Sequence, residues 1–174
     1  MKQEPKKQSD VIFKVKKFAF VENAVFWVVG DGEMMPILRG LVAELGLENK
    51  VKFWGFVKPD DLPKMTEQAT IGLHISEDMG LSYRYSLGNK FLDYIQAGVP
   101  QICTQFIEYQ RLNDEFEVAI LIEKTDVELL VSAINQLLND VVLYERIRAN
   151  CLKAAAELCW EMEERKLVEF YGRI

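Results

Sequence analysis

The chain repeatedly places a short apolar run just before a glycine- or proline-containing turn and follows it with an amphipathic stretch, and this alternation limits the folds open to it. Val25 to Val29 is a continuous apolar run rich in β-branched and aromatic residues, closed by Gly30-Asp31-Gly32, and reads as a buried parallel strand. Met34, Leu38, Leu41, Val42 and Leu45 then share one helical face, with Gly46 as its C-terminal cap. Val51 to Trp54 is the next strand. Pro59-Asp60-Asp61-Leu62-Pro63 supplies a turn, acidic capping residues and an early proline for a short helix to about Gln68. Ile71 to Ile75 is a third strand. A polar loop, Ser76 to Gly88, leads to a helix from Asn89 to Ala97 that Gly98 and Pro100 stop. Gln101 to Thr104 and Val118 to Ile122 complete the strands. Asp126 caps a helix whose face is Val127, Leu130, Val131, Ile134, Leu137 and Leu138, and Val142 to Leu158 and Trp160 to Tyr171 are also helical. Strands alternating with helices demand a parallel sheet covered on both faces, an α/β/α arrangement joined by right-handed crossovers. Ligands in such sheets bind beyond the carboxyl ends of the strands.

The first residues are less decided. Met1 to Ser9, with Lys2, Lys6 and Lys7, reads as a frayed solvated end. Val11, Ile12, Val15, Phe18 and Ala19 are at helical spacing, while the alternation of Phe13, Val15 and Lys17 leaves a strand open. With 174 residues, no internal repeat and no Pro/Ser-rich linker, residues 1–174 are expected to form a single domain.

Several function classes fall away on composition. The apolar runs are too short to span a bilayer and the lysine-rich start lacks a signal-peptide core, so the default location is cytoplasmic. Cys103, Cys151 and Cys159 are odd in number and have no C-x-x-C spacing, which favours reduced, structural thiols over a disulfide framework or thiolate zinc site. His74 is the only histidine, which excludes sites built on several imidazoles, and its apolar neighbours favour a packed role. A net charge of −6 argues against nucleic-acid binding, yet a nucleotide needs only a local pocket of positive potential.

Tyr85 to Pro100, YSLGNKFLDYIQAGVP, is the stretch with the most chemistry. A glycine-containing loop runs into a short helix. The first-turn amides after Gly88 and the helix dipole place partial positive charge where a phosphate can sit, and Lys90 adds a full charge. Asp93, one turn deeper on roughly the same side as Asn89, can accept hydrogen bonds from sugar or ribose hydroxyls. The same residues also compose an ordinary turn and cap with a solvated Lys90–Asp93 pair, and both readings stand on the residues alone. Gly30-Asp31-Gly32 suggests a dinucleotide fingerprint, but no third glycine follows at the required position, which favours a tight turn. Gly55, in Trp54-Gly55-Phe56-Val57, allows a flat base or ribose to approach the backbone, or forms a plain turn. No Ser/His/Asp or Cys/His constellation is visible, and Glu77, Asp78 and Asp93 make no recognisable acidic metal motif.

In order, FWVVGDGEMMPIL, VKFWGFVKPDDLPKM, IGLHIS, SLGNKFLDYIQAGVP and a terminal helix introduced by CWE resemble the C-terminal half of GT-B glycosyltransferases of family 4, the group 1 glycosyltransferases. The likeness runs from about Asp10 onward. It implies a Rossmann-like three-layer domain, one half of a GT-B fold, that binds a nucleotide diphosphate sugar at the strand ends. It also implies sugar transfer to a glycan or lipid acceptor with retained configuration, with no cofactor and no metal. By position, Asp93 stands for the second glutamate of the family's E-x7-E motif, which contacts the ribose, and Tyr85 for the first, a ligand of the donor sugar. The chain departs from the family there, since Asp is one methylene shorter and Tyr is not an acid. Ser86 and Lys90 fit a family variant with serine, then lysine, ahead of the acidic position. The resemblance therefore implies a diphosphate at Ser86, Gly88, Asn89 and Lys90, and a base beside the backbone of Phe56 and Val57.

The family's C-terminal domain opens with a strand and loop whose arginine and lysine grip the diphosphate, behind an N-terminal acceptor-binding domain. The resemblance implies that this chain holds neither complete, although Lys14, Lys16 and Lys17 lie near the first. The expectation is a donor-binding fragment inactive by itself, partnered by a nucleotide sugar and the missing acceptor domain, and membrane-associated only through the full-length enzyme. Two other readings remain: a degenerate Rossmann-like interaction module without catalysis, and an unrelated flavodoxin-like ligand binder.

Overall fold

The computed structural model describes residue 21 and residues 24–173. The expectations for residues 1–19, the frayed end, the helix-or-strand segment and Lys14, Lys16 and Lys17, lie outside the described residues. Among the described residues five strands alternate with helices: β1 (Phe26–Val29), α1 (Met35–Glu44), β2 (Val51–Gly55), α2 (Leu62–Thr66), β3 (Gly72–His74), α3 (Leu81–Arg84), α4 (Asn89–Gln96), β4 (Gln101–Thr104), α5 (Ile107–Phe116), β5 (Ala119–Ile122), α6 (Val127–Asn139), α7 (Val141–Glu157) and α8 (Trp160–Tyr171). Among the described residues every strand pairing is parallel. β1 pairs with β2, placing Phe26 opposite Val51, and β4 lies between β3 and β5, with Ile102 beside Leu73 on one side and Ile120 on the other. All of β4 is buried, as expected for a central strand covered on both faces.

The packing follows the apolar pattern. Phe91 and Ile95 of α4, Ile102 and Cys103 of β4, Leu130, Ile134 and Leu137 of α6, and Ile147 and Cys151 of α7 form the larger core. Leu38 and Val42 of α1 close over Val51 in a smaller one, and Phe26 packs against both, joining the two groups of strands. The Asp126 side chain accepts from the Glu128 and Leu129 N–H groups, the N-cap that its position predicts. After α4, the Val99 N–H returns to the Tyr94 carbonyl and the Gly98 N–H to that of Ile95, a turn that puts Gly98 at φ 64°. Only glycine takes that conformation cheaply, which is why α4 ends there and the chain enters β4 directly.

Three elements differ from the sequence reading. The Val25–Val29 run, expected as a buried strand, forms β1 with no fully buried residue, Val25 being 55% and Val29 40% exposed. The Ser76 to Gly88 segment is not loop throughout, because residues 81–84 wind into α3. The stretch between β4 and β5 forms the ten-residue helix α5, which buries Tyr109 and Leu112. At Gly30-Asp31-Gly32 the chain makes a tight turn: the Gly30 N–H reaches the Gly55 carbonyl at 2.8 Å and the Asp31 carboxylate takes the Gly32 N–H at 2.8 Å. Among the described residues no single helix is long and apolar enough to cross a membrane.

Candidate functional site

A cleft of about 420 Å³ opens beyond the carboxyl ends of β3, β4 and β5, walled by residues 76–78, 104–107 and 123–125 and by Arg84 of α3. This is where a parallel sheet receives ligands. Its floor is tied together by the strand ends themselves. The Ser76 N–H donates to Thr104 Oγ1 and the Thr104 hydroxyl donates to the Ser76 carbonyl, both at 2.9 Å, and the Thr125 hydroxyl reaches the same carbonyl at 3.3 Å. One hydroxyl therefore satisfies both backbone groups of Ser76 where the strand stops supplying partners.

The rim is charged. The Arg84 guanidinium donates to Asp78 Oδ2 at 2.7 Å, and the hydrogen bond from Arg84 holds the Asp78 carboxyl below its ordinary range. Lys124 pairs with Asp126 at 3.7 Å. Both pairs are largely solvent-exposed, so each adds little to stability and leaves its cation near the cleft mouth. Among the described residues no cluster of three or more His, Cys, Asp or Glu side chains is placed to hold a metal ion.

The start of α4 stands beside this cleft, linked to it through aromatic rings. Phe106, on the cleft wall, lies against Tyr109 with ring centroids 6.2 Å apart, and Tyr109 tilts onto Phe91 of α4 at 4.9 Å. The Tyr109 hydroxyl accepts the Gly88 N–H at 3.1 Å and meets His74 Nε2 at 2.8 Å. Burial holds the Tyr109 phenol above its ordinary pKa although the Gly88 hydrogen bond pulls it down, so the hydroxyl stays protonated at neutral pH. Its oxygen takes the Gly88 N–H and shares a hydrogen bond with His74 Nε2 whose direction follows the imidazole tautomer. His74, packed as its neighbours suggested, thus also has a polar task.

Of the residues singled out from sequence, Gly88, Asn89, Lys90 and Asp93 come together at the first two turns of α4, with Gly88 as N-cap and no side chain capping the helix. Partial burial raises the Asp93 carboxyl above its ordinary value, and Lys90 offsets part of that rise. Tyr85 ends α3 and is 59% exposed. The Ser86 hydroxyl donates to the Tyr83 carbonyl at 3.4 Å. Phe56 and Val57 follow the carboxyl end of β2, in the other strand group; Phe56 is 72% exposed and beside it Trp54 packs edge-on to Trp27 at 5.2 Å. None of these eight residues lines the cleft. Sequence reasoning missed Thr104, the last residue of β4, Gln105, Phe106, Lys124 and Thr125, which lie just beyond the ends of β4 and β5, and Arg84 on the unforeseen α3. The signal for the first five is their position at the carboxyl ends of β4 and β5.

The profile of the family described as Glycosyl transferases group 1 matches residues 2–140. Among characterised proteins, the chain is similar to the lipopolysaccharide core biosynthesis glycosyltransferase LpsE of Rhizobium meliloti, 25% identical over 133 residues, covering 76% of this chain and 37% of LpsE. Among solved structures, it superposes on Anabaena HepE in complex with UDP and glucose with a TM-score of 0.79 and 18% identity, covering 96% of this chain and 45% of HepE. It also superposes on WaaG, a glycosyltransferase involved in lipopolysaccharide biosynthesis, with a TM-score of 0.73 and 20% identity over 92% of this chain and 43% of WaaG. At such identity these two likenesses establish the fold, and the chain spans less than half the length of each relative. The parallel strands, in one group of two and one of three and flanked by helices, are thus the Rossmann-like half of a GT-B architecture, and with the profile matching most of its length the chain belongs to the group 1 glycosyl transferases.

Proposed function

We propose that residues 1–174 form the donor-binding domain of a retaining glycosyltransferase, which takes a nucleotide diphosphate sugar and serves transfer to a glycan or lipid acceptor. In this reading the diphosphate sits at the start of α4, against the amides after Gly88, with Ser86, Asn89 and Lys90 around it. Asp93 accepts from the ribose hydroxyls. Phe56 and Val57 flank the base, and Tyr85, the exposed residue that follows α3, meets the sugar. The observation that carries the reading is the bare first turn of α4, with Gly88 as N-cap and Lys90 and Asp93 beside it, in a chain of this family. HepE, solved with UDP and glucose, supports the ligand class.

Transfer requires donor and acceptor in one geometry. The chain alone therefore binds donor without transferring it, and the acceptor side belongs to the further half that the full-length relatives possess. No metal or cofactor enters the reading. The reading is tested by thermal shift with UDP, GDP, ADP and their sugars. A ligand bound only by the native state raises the melting temperature, and Lys90→Ala and Asp93→Ala should each shrink the shift. A flat response in the wild-type chain would overturn it.

One observation favours a second reading, an interaction module with lost pocket chemistry. Helix α8 buries none of its residues and exposes Trp160, Val168, Phe170 and Tyr171 by more than 60% each. A stable dimer on size-exclusion chromatography, together with no response to any nucleotide, would favour that reading.

A further inference from the structure

Tyr109 belongs to α5, yet its hydroxyl is spent on the start of α4. It is 3% exposed and is held on several sides: its ring lies 4.9 Å from that of Phe91, 6.2 Å from that of Phe106, and edge-on to His74 at 5.2 Å. A side chain so packed has little freedom to move its oxygen. That oxygen is 3.1 Å from the Gly88 nitrogen and 2.8 Å from His74 Nε2. Gly88 fits against both groups because it has no side chain, for a Cβ there would stand 2.9 Å from His74 Nε2 and 3.1 Å from the Tyr109 oxygen.

The direction of this bond matters. An ordinary N-cap side chain would accept the second or third amide of the helix and cover the face a phosphate needs. Here no side chain caps α4, and the anchoring bond is made from beneath, to the N–H of the N-cap residue itself. The loop is fixed while the Asn89 and Lys90 amides carry no side-chain cap.

Resting on the donor-binding reading, we propose that Tyr109, locked by His74, is the positioning residue for the diphosphate end of the site, setting the orientation of the Gly88–Lys90 backbone. It touches no ligand and acts through the Gly88 N–H.

The test compares wild type and Tyr109→Phe, which keeps the ring packing and removes the oxygen. Affinities for UDP, GDP and ADP are measured by titration against those for uridine, guanosine and adenosine, with amide exchange at Gly88 followed by NMR. For the diphosphate that binds, affinity should fall about fivefold, the order of one lost hydrogen bond, while its nucleoside changes less than about twofold and the Gly88 amide exchanges faster. His74→Phe, which removes the second bond to the phenol, should give the same selective loss in smaller measure. An unchanged ratio of diphosphate to nucleoside affinity in Tyr109→Phe, whether both fall together or neither falls, would overturn the proposal. A wild-type chain that binds none of the diphosphates overturns the donor reading instead, and that is seen before any variant is compared.

Discussion

Gly88 sits so close to His74 that a Cβ on it would lie 2.9 Å from the imidazole Nε2. The backbone there is extended, at φ −78° and ψ 138°, so glycine is needed for space and not for conformation. Gly88→Ala should therefore push the loop off Tyr109 and His74. We expect a loss of about 1–3 kcal/mol in denaturant unfolding, typical of overpacking, and a larger proportional loss of diphosphate affinity than of nucleoside affinity.

At Asp126 the expectation concerns stability. Its carboxylate accepts from the Glu128 and Leu129 amides at 3.0 and 3.3 Å, so Asp126→Ala leaves two amides of α6 without their cap. A loss of about 1 kcal/mol in urea unfolding is predicted, and Asp126→Ser should recover most of it.

Asp93 should separate stability from binding as pH changes. Burial raises its carboxyl above the ordinary value of about 3.9 for aspartate, against the pull of Lys90. A raised pKa means the native state holds the proton more tightly than the unfolded chain. The contribution of this group to stability is therefore complete below the unfolded value and is lost as pH rises through the folded one. On the proposed donor reading, ribose binding would follow the opposite course, with the carboxylate as the acceptor. Diphosphate nucleotide affinity should fall on acidification at a higher pH than an unperturbed aspartate would give, and Asp93→Asn should remove that inflection from the titration.

The thiols give a check on the core. Burial pushes the Cys151 thiol up to about 12 and the Cys103 thiol still further, and both side chains are fully buried. Cys159 is only half-buried. At pH 8 a thiol-reactive reagent should modify Cys159 alone in the native chain and all three cysteines after unfolding, read by intact mass.

The strands were legible because parallel strands are runs of apolar residues with few competing patterns, as at Val25–Val29 and Val118–Ile122, although β1 is only partly buried. Helix α5 was not. Its buried Tyr109 and Leu112 are separated by Gln110 and Arg111 and flanked by Glu108, Asp114 and Glu115, so the apolar face is thin and the charges dominate. With α5 unseen, Tyr109 could not be placed under Gly88, a contact that spans twenty-one positions in sequence. The start of α4 was legible from Gly88, Lys90 and Asp93 because helix ends are local. The cleft was not, because Thr104, Gln105 and Thr125 become neighbours only when β3, β4 and β5 align.

The most direct measurement of the central claim is titration calorimetry of UDP, GDP and ADP into the wild-type chain and into Lys90→Ala. Saturable one-to-one binding of at least one diphosphate is expected, weakened severalfold in the variant by the loss of one charge-assisted contact. Absence of binding by all three, or equal binding by Lys90→Ala, would contradict it.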